Sequence, residues 1–178
     1  IMARPGFQAA VTRWIPQAAE RSTFVLASGL ALGLILGLWQ PLETVVWSVT
    51  DPAARLFLWA LFACGWLYLV VATYATNHWD LFGLRQGWLH LQGRPYTPVA
   101  FTRRWMYRYS RHPMMAGMLV GLWAIPEMTL GHALLAAGFS GYIAVGLVFE
   151  ERGLARHLGA DYEQYRREVG ALMPRLRG

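Results

Sequence analysis

Fifteen of the sixteen arginines fall in three segments, residues 1–22, 77–112 and 150–178, separated by stretches nearly free of charge. That segregation narrows the possible folds more than any other feature. Residues 23–39 carry no charged side chain. With the flank to Trp47 they give about 25 residues, enough to cross a hydrocarbon core of about 30 Å. Residues 56–76 form a second such run. Residues 114–125 are apolar but rise only about 18 Å, whereas 128–149 rise about 33 Å. Pro126 and Glu127 interrupt the two, so 114–149 reads as a helix hairpin with one short arm. A helix that stops short in a membrane needs its freed backbone groups satisfied by protein or by a polar cavity. The expected fold is all-α, a polytopic integral membrane protein forming one domain over 1–178. Its spans lie at about 23–47 and 56–76, followed by the hairpin. Two spans and a hairpin put all three arginine segments on one side, which the positive-inside rule assigns to the cytoplasm. Gly29, Gly33 and Gly37 share one face of the first span, a spacing suited to close helix contact or simply tolerated there.

Composition agrees. Apolar residues make up 56% and charged residues 15%, against about 25% charged in a typical soluble domain. The net charge of +6 comes from arginine, with no lysine anywhere. That excludes a Schiff-base lysine and a phosphate-binding P-loop lysine. A cytoplasmic basic face accounts for the charge, so no nucleic-acid partner is expected, and membrane lipids are. The single cysteine, Cys64, cannot form an internal disulfide and reads as a small buried hydrophobe. His90, His132 and His157 are isolated, without metal-ligand spacing, and no metal is expected. Residues 1–22 read as an interfacial segment. In the last segment, Leu154, Leu158, Tyr162 and Tyr165 form one face of an amphipathic helix over 155–169.

Two polar groupings carry the candidate chemistry. Arg111-His112-Pro113 opens the hairpin and Glu150-Glu151 closes it. A guanidinium, an imidazole and two carboxylates suit a zwitterionic ligand, carboxylate to arginine and ammonium to glutamate. The same residues could instead pair only with one another. The second grouping is Asn77, His78 and Asp80, just past the second span. A histidine beside an acid can serve as a general base. The alternative is a polar helix end facing headgroups. Two residues apart on a helix, His78 and Asp80 would not face each other unless the segment is irregular.

Arg111-His112-Pro113-x-x-x-Gly117, the closing Glu150-Glu151 and a Tyr-x-x-Tyr helix together resemble the isoprenylcysteine carboxyl methyltransferase and phospholipid methyltransferase superfamily over about residues 100–178. The stretch from Asn77 to Gln86 and that from Gly93 to Pro98 look closer to its methanethiol S-methyltransferase branch, related to NnrU-like membrane proteins. Residues 2–7 and 20–23 fit that branch too, where they follow an earlier membrane helix. The chain opens on Ile1 rather than Met, so such a helix is expected ahead of it. The resemblance implies a multi-pass inner-membrane enzyme that binds S-adenosylmethionine at the cytoplasmic side and releases S-adenosylhomocysteine. It implies cofactor contacts from Tyr107, Arg111, His112, Pro113, Met115, Gly117, Glu150 and Glu151. The acceptor side would hold Asn77, Gln86 and Tyr96, with His78 and Asp80 catalytic. Met115 stands where family members often carry tyrosine, and a methionine there can still pack on adenine. The implied reaction methylates a small thiol such as methanethiol to dimethyl sulfide. Methylation of a lipid or a prenylcysteine carboxylate, or a non-catalytic membrane subunit or transporter, are the other readings. Oligomeric state is left open.

Overall fold

The computed structural model describes residues 15–97 and 103–175. Most of the expected interfacial segment at the start of the chain, residues 1–14, lies outside the described residues. The elements are α1 (Gln17–Gly37), β1 (Val45–Ser48), α2 (Pro52–Ala75), α3 (His78–Leu81), α4 (Leu84–Leu91), a 3₁₀ turn (Trp105–Arg108), α5 (Pro113–Trp123), β2 (Glu127–Thr129), α6 (Leu130–Leu158) and α7 (Ala160–Glu168). Among the described residues helices dominate, and three of them, Ala18–Gly37, Pro52–Ala75 and Leu130–Leu158, are long and apolar enough to cross a membrane. The protein is therefore an all-α polytopic membrane protein with one small two-stranded ribbon.

The chain gathers into two units, one from residues 1–39 and 76–101, the other from 40–75 and 102–178. In the second, α2 packs along α5 with almost no space between backbones. A Cβ on Gly65 would meet Gly121 N at 2.7 Å, and one on Gly117 would meet Gly65 O at 2.6 Å. Small residues that let helices approach closely are the usual glue between membrane helices.

The short arm of the hairpin is α5, whose eleven residues rise about 16 Å. Protein groups satisfy its open end. Ala124 N donates to Val120 O at 2.9 Å and Ile125 N to Trp123 O at 3.0 Å. The His132 ring, as its Nε2–H form, reaches Leu122 O at 2.8 Å. Beyond it, β2 pairs antiparallel with β1, Trp47 opposite Met128 and Ser48 opposite Glu127. Trp47 Nε1 donates to Ile125 O at 3.2 Å. The start of α6 is closed the same way: Leu130 N and Gly131 N donate to Thr44 O and Leu42 O at 2.7 and 3.1 Å. The sequence required such satisfaction of orphan groups, and the ribbon supplies it.

Four expectations need correction. The first span does not continue to Trp47. Helix α1 ends at Gly37, and Val45–Ser48 is a strand. Glycine ends the helix cheaply, Pro41 biases its predecessor away from helix, and Val45 and Val46 favour extended backbone. The long arm runs on to Leu158, so Glu150 and Glu151 lie within a helix instead of at its end. The face Leu154–Leu158–Tyr162–Tyr165 is not one helix, because Gly159, at φ 58°, separates α6 from α7. Cys64 is exposed on α2 instead of buried. On α1, a Cβ on Gly29, Gly33 or Gly37 would meet no described atom within 4 Å.

Candidate functional site

The larger polar cluster belongs to the second unit, where the segment before α5 meets the chain after α7. Ser110 bridges Gly170 in parallel. Arg111 N donates to Gly170 O at 3.0 Å and His112 N to Ala171 O at 2.9 Å. Ser110 Oγ donates to the same Ala171 carbonyl at 2.9 Å. His112 is the N-cap of α5, and Pro113 at the first helical position gives up a backbone N–H that would have had no helical partner.

These backbone bonds aim two side chains at α6. Arg111 Nε donates to Glu151 Oε1 at 2.8 Å, and Nη2 donates to the same oxygen at 2.5 Å. Its Nη1 reaches Arg166 O at 3.0 Å and Val169 O at 2.5 Å. His112 Nε2 lies 3.1 Å from Glu151 Oε1, and its Nδ1 lies 3.6 Å from Glu150 Oε2. The contacts of Glu151 with these two side chains all fall on Oε1. Arg111 and His112 are nearly buried, Glu151 is mostly buried, and Glu150 is half exposed.

Tyr162 and Tyr165, three residues apart on α7, are buried beneath the cluster. Tyr165 donates to Tyr107 O at 2.5 Å, and the Arg103 guanidinium sits 5.1 Å from the Tyr165 ring centre. Burial pushes both phenols up to about 12, with Glu151 adding to the rise at Tyr162 and Tyr162 adding to that at Tyr165. Both therefore stay protonated at neutral pH.

The second cluster, in the first unit, centres on the buried carboxylate of Asp80. Asn77, at φ 77°, caps α3 and accepts from Asp80 N at 3.2 Å. Arg85 Nη1 donates to Asp80 Oδ1 at 3.1 Å, and Tyr96 donates to Oδ2 at 3.2 Å. Arg21 lies 3.8 Å from Oδ2. Arg85 also holds Thr97 through its carbonyl and hydroxyl at 2.9 and 3.0 Å. Burial and the Asp80 carboxylate both push the Tyr96 phenol up. Gln86 Nε2 donates to Asp80 O at 3.3 Å, while Gln86 Oε1 is buried and accepts from no described donor. His78 packs edge-on against Trp79 and Phe82. The Asp80 carboxylate thus faces two guanidiniums and a phenol, and His78 lies among aromatic rings.

A methanethiol S-methyltransferase of Mycobacterium tuberculosis is 48% identical over 174 residues, covering 98% of this chain and 71% of that protein. The chain belongs to the methanethiol S-methyltransferase family. A second member, from Crocosphaera subtropica, is 41% identical over 98% of this chain and 68% of its own length. Nurim of Bos taurus is a distant relative, 26% identical over 82% of this chain and 58% of its own. No family model and no solved structure matches. Membership makes this protein a membrane methyltransferase.

For a methanethiol S-methyltransferase family member, the fold gathers Arg111, His112, Glu150 and Glu151 as the motif suggests. Tyr107 joins through its backbone carbonyl. Pro113 serves the helix start, and Met115 is partly buried on α5. Gly117 lies in the α2–α5 contact, where an added Cβ would also meet Leu69 N at 2.8 Å. Asn77, Asp80, Gln86 and Tyr96 share the other cluster. Sequence reasoning left out Ser110, Tyr162 and Tyr165 as site residues and the carbonyls of Arg166, Val169, Gly170 and Ala171. The Tyr-x-x-Tyr spacing was a readable signal for the tyrosines. Carbonyl partners leave no side-chain signature.

Proposed function

We propose that the protein transfers a methyl group from S-adenosylmethionine to methanethiol, giving dimethyl sulfide and S-adenosylhomocysteine at the cytoplasmic face of the inner membrane. The observation that carries this reading is the Arg111–His112–Glu150–Glu151 cluster in a chain whose relatives are named for this reaction. The donor set fits the cofactor's charged end. Glu151 and the half-exposed Glu150 offer carboxylate oxygens to an ammonium, and a charge-assisted hydrogen bond is the stronger kind. Arg111 fixes Glu151 in place and adds positive charge to the site. Tyr107, Pro113 and Met115 complete the proposed cofactor-binding set, while Gly117 serves the α2–α5 contact.

The bound sulfonium supplies the electrophilic methyl carbon. The chain's own task is to orient the acceptor and remove its proton, since the thiolate is the nucleophile. We assign proton removal to His78. Asp80 orders its own segment through Arg85 and Tyr96, and Asn77, Gln86 and Tyr96 serve the acceptor. Gln86 Oε1 is a buried acceptor that takes no hydrogen bond from a described donor, and a thiol is a donor of the kind it lacks.

The test is purified protein with labelled S-adenosylmethionine against methanethiol, phosphatidylethanolamine and a prenylcysteine. Volatile labelled dimethyl sulfide is the expected product. Label in the phospholipid or the prenylcysteine instead would replace the acceptor assignment, and no cofactor binding with no transfer would overturn the reading. His78→Gln should cut turnover by roughly 10²-fold at neutral pH, with partial recovery at high pH. Unchanged turnover would remove His78 from the mechanism.

A further inference from the structure

Helix α4 is strongly two-sided, and one side is largely exposed among the described residues. Leu84, Trp88 and Leu91 recur at spacings of four and three, which puts them on one narrow stripe. They are 51%, 62% and 81% exposed. The side chains of Arg85 and Gln86, on other faces, turn toward Asp80. Just upstream, Trp79 is also largely exposed.

The depth of this stripe follows from contacts inside the same unit. Arg21 Nε donates to Leu81 O at 3.1 Å. Gly83, at φ 77°, sits so close to α1 that a Cβ there would meet Ser22 N and Ser22 Oγ at 2.6 Å. Ser22 is where α1 loses its charges, and none occurs again before its end at Gly37. The elbow that begins α4 is therefore level with the polar end of a membrane span. Tryptophan at that level favours the headgroup layer. Arg94, exposed just past α4, suits the phosphates found there.

We propose that α4 lies in the headgroup–acyl boundary of the phospholipid bilayer, with Leu84, Trp88 and Leu91 turned into the lipid and Arg85 and Gln86 turned onto Asp80. An amphipathic helix with basic residues and a Trp/Leu face binds a membrane surface in this way. Lipid contact thereby fixes the helix that carries half of the Asp80 cluster.

Site-directed nitroxides test it in the full chain, in nanodiscs of phosphatidylcholine and phosphatidylglycerol. Cys64→Ser removes the native thiol, and Leu84→Cys, Trp88→Cys, Leu91→Cys and His90→Cys are labelled one at a time. His90 is exposed on another face of α4. The expected result is that labels at 84, 88 and 91 are relaxed by oxygen and lose relaxation by a water-soluble nickel chelate, while the label at 90 shows the reverse. Nickel access at 84, 88 and 91 equal to that at 90 would overturn the proposal in favour of a water-facing helix. Loss of both relaxations would overturn it in favour of a protein partner, either another chain or a second copy.

Discussion

Each of the two units is organised around a carboxylate that faces arginine, but the carboxylates are held differently. Asp80 is held mostly by near neighbours, Asn77, Arg85, Gln86 and Tyr96, with Arg21 added from α1. The Arg85 and Arg21 side chains are 29% and 49% exposed. Glu151 is held by Arg111 and His112, forty and thirty-nine positions earlier in the chain. Arg111 is in turn tied to carbonyls fifty-five and fifty-eight positions later. A local knot with solvated cations can lose a member and stay folded. A knot that joins three distant stretches around a buried guanidinium cannot do so easily, because each removal leaves an uncompensated charge.

The largest expected effect follows from that contrast. Glu151→Ala strands Arg111 and His112, and should cost about 3–5 kcal/mol, read as a lower melting temperature in detergent. Asp80→Asn keeps an acceptor beside half-solvated arginines and should cost about 1–2 kcal/mol. Equal costs would erase the distinction between the two knots.

A smaller effect should appear at high pH, mainly through the Glu151 cluster, where two phenols are raised against the single Tyr96 beside Asp80. Tyr162 and Tyr165 titrate near 12 in the folded protein, above the ordinary value of 10.0. The folded state therefore holds their protons more tightly than the unfolded state. Their stabilising contribution is complete below the ordinary value and is lost as pH rises from there through about 12. A Tyr162→Phe, Tyr165→Phe double variant should lose that alkaline limb of the unfolding curve, and an unchanged limb would show that the tyrosines do not govern it. Smallest of all, Tyr165→Phe alone removes one hydrogen bond to Tyr107 O and should cost about 1 kcal/mol in chemical denaturation.

The same contrast explains what could be read in advance. The membrane spans and the short hairpin arm follow from run length and charge placement, which need only composition along the chain. The meeting of Arg111 and His112 with Glu150–Glu151 was legible because complementary charges bracketed one apolar hairpin. The β1–β2 ribbon was not, since its strands are four and three residues long and lie about eighty positions apart. Nor was the break at Gly159, where one glycine at positive φ turns Tyr162 and Tyr165 inward. Arg85 as the partner of Asp80 was missed because the sequence pointed to His78, a residue with the right chemistry two positions away.

The most direct test of the account is cofactor affinity, measured by titrating S-adenosylhomocysteine into folded Glu151→Gln and Asp80→Asn proteins. Glutamine keeps an acceptor for Arg111 but removes the charge offered to an ammonium, so Glu151→Gln should bind at least roughly tenfold more weakly, the loss of about 1.4 kcal/mol. Asp80→Asn should bind like the parent. Parent-like binding by Glu151→Gln, or a loss confined to Asp80→Asn, would contradict the assignment of the cofactor to the Arg111–Glu151 cluster.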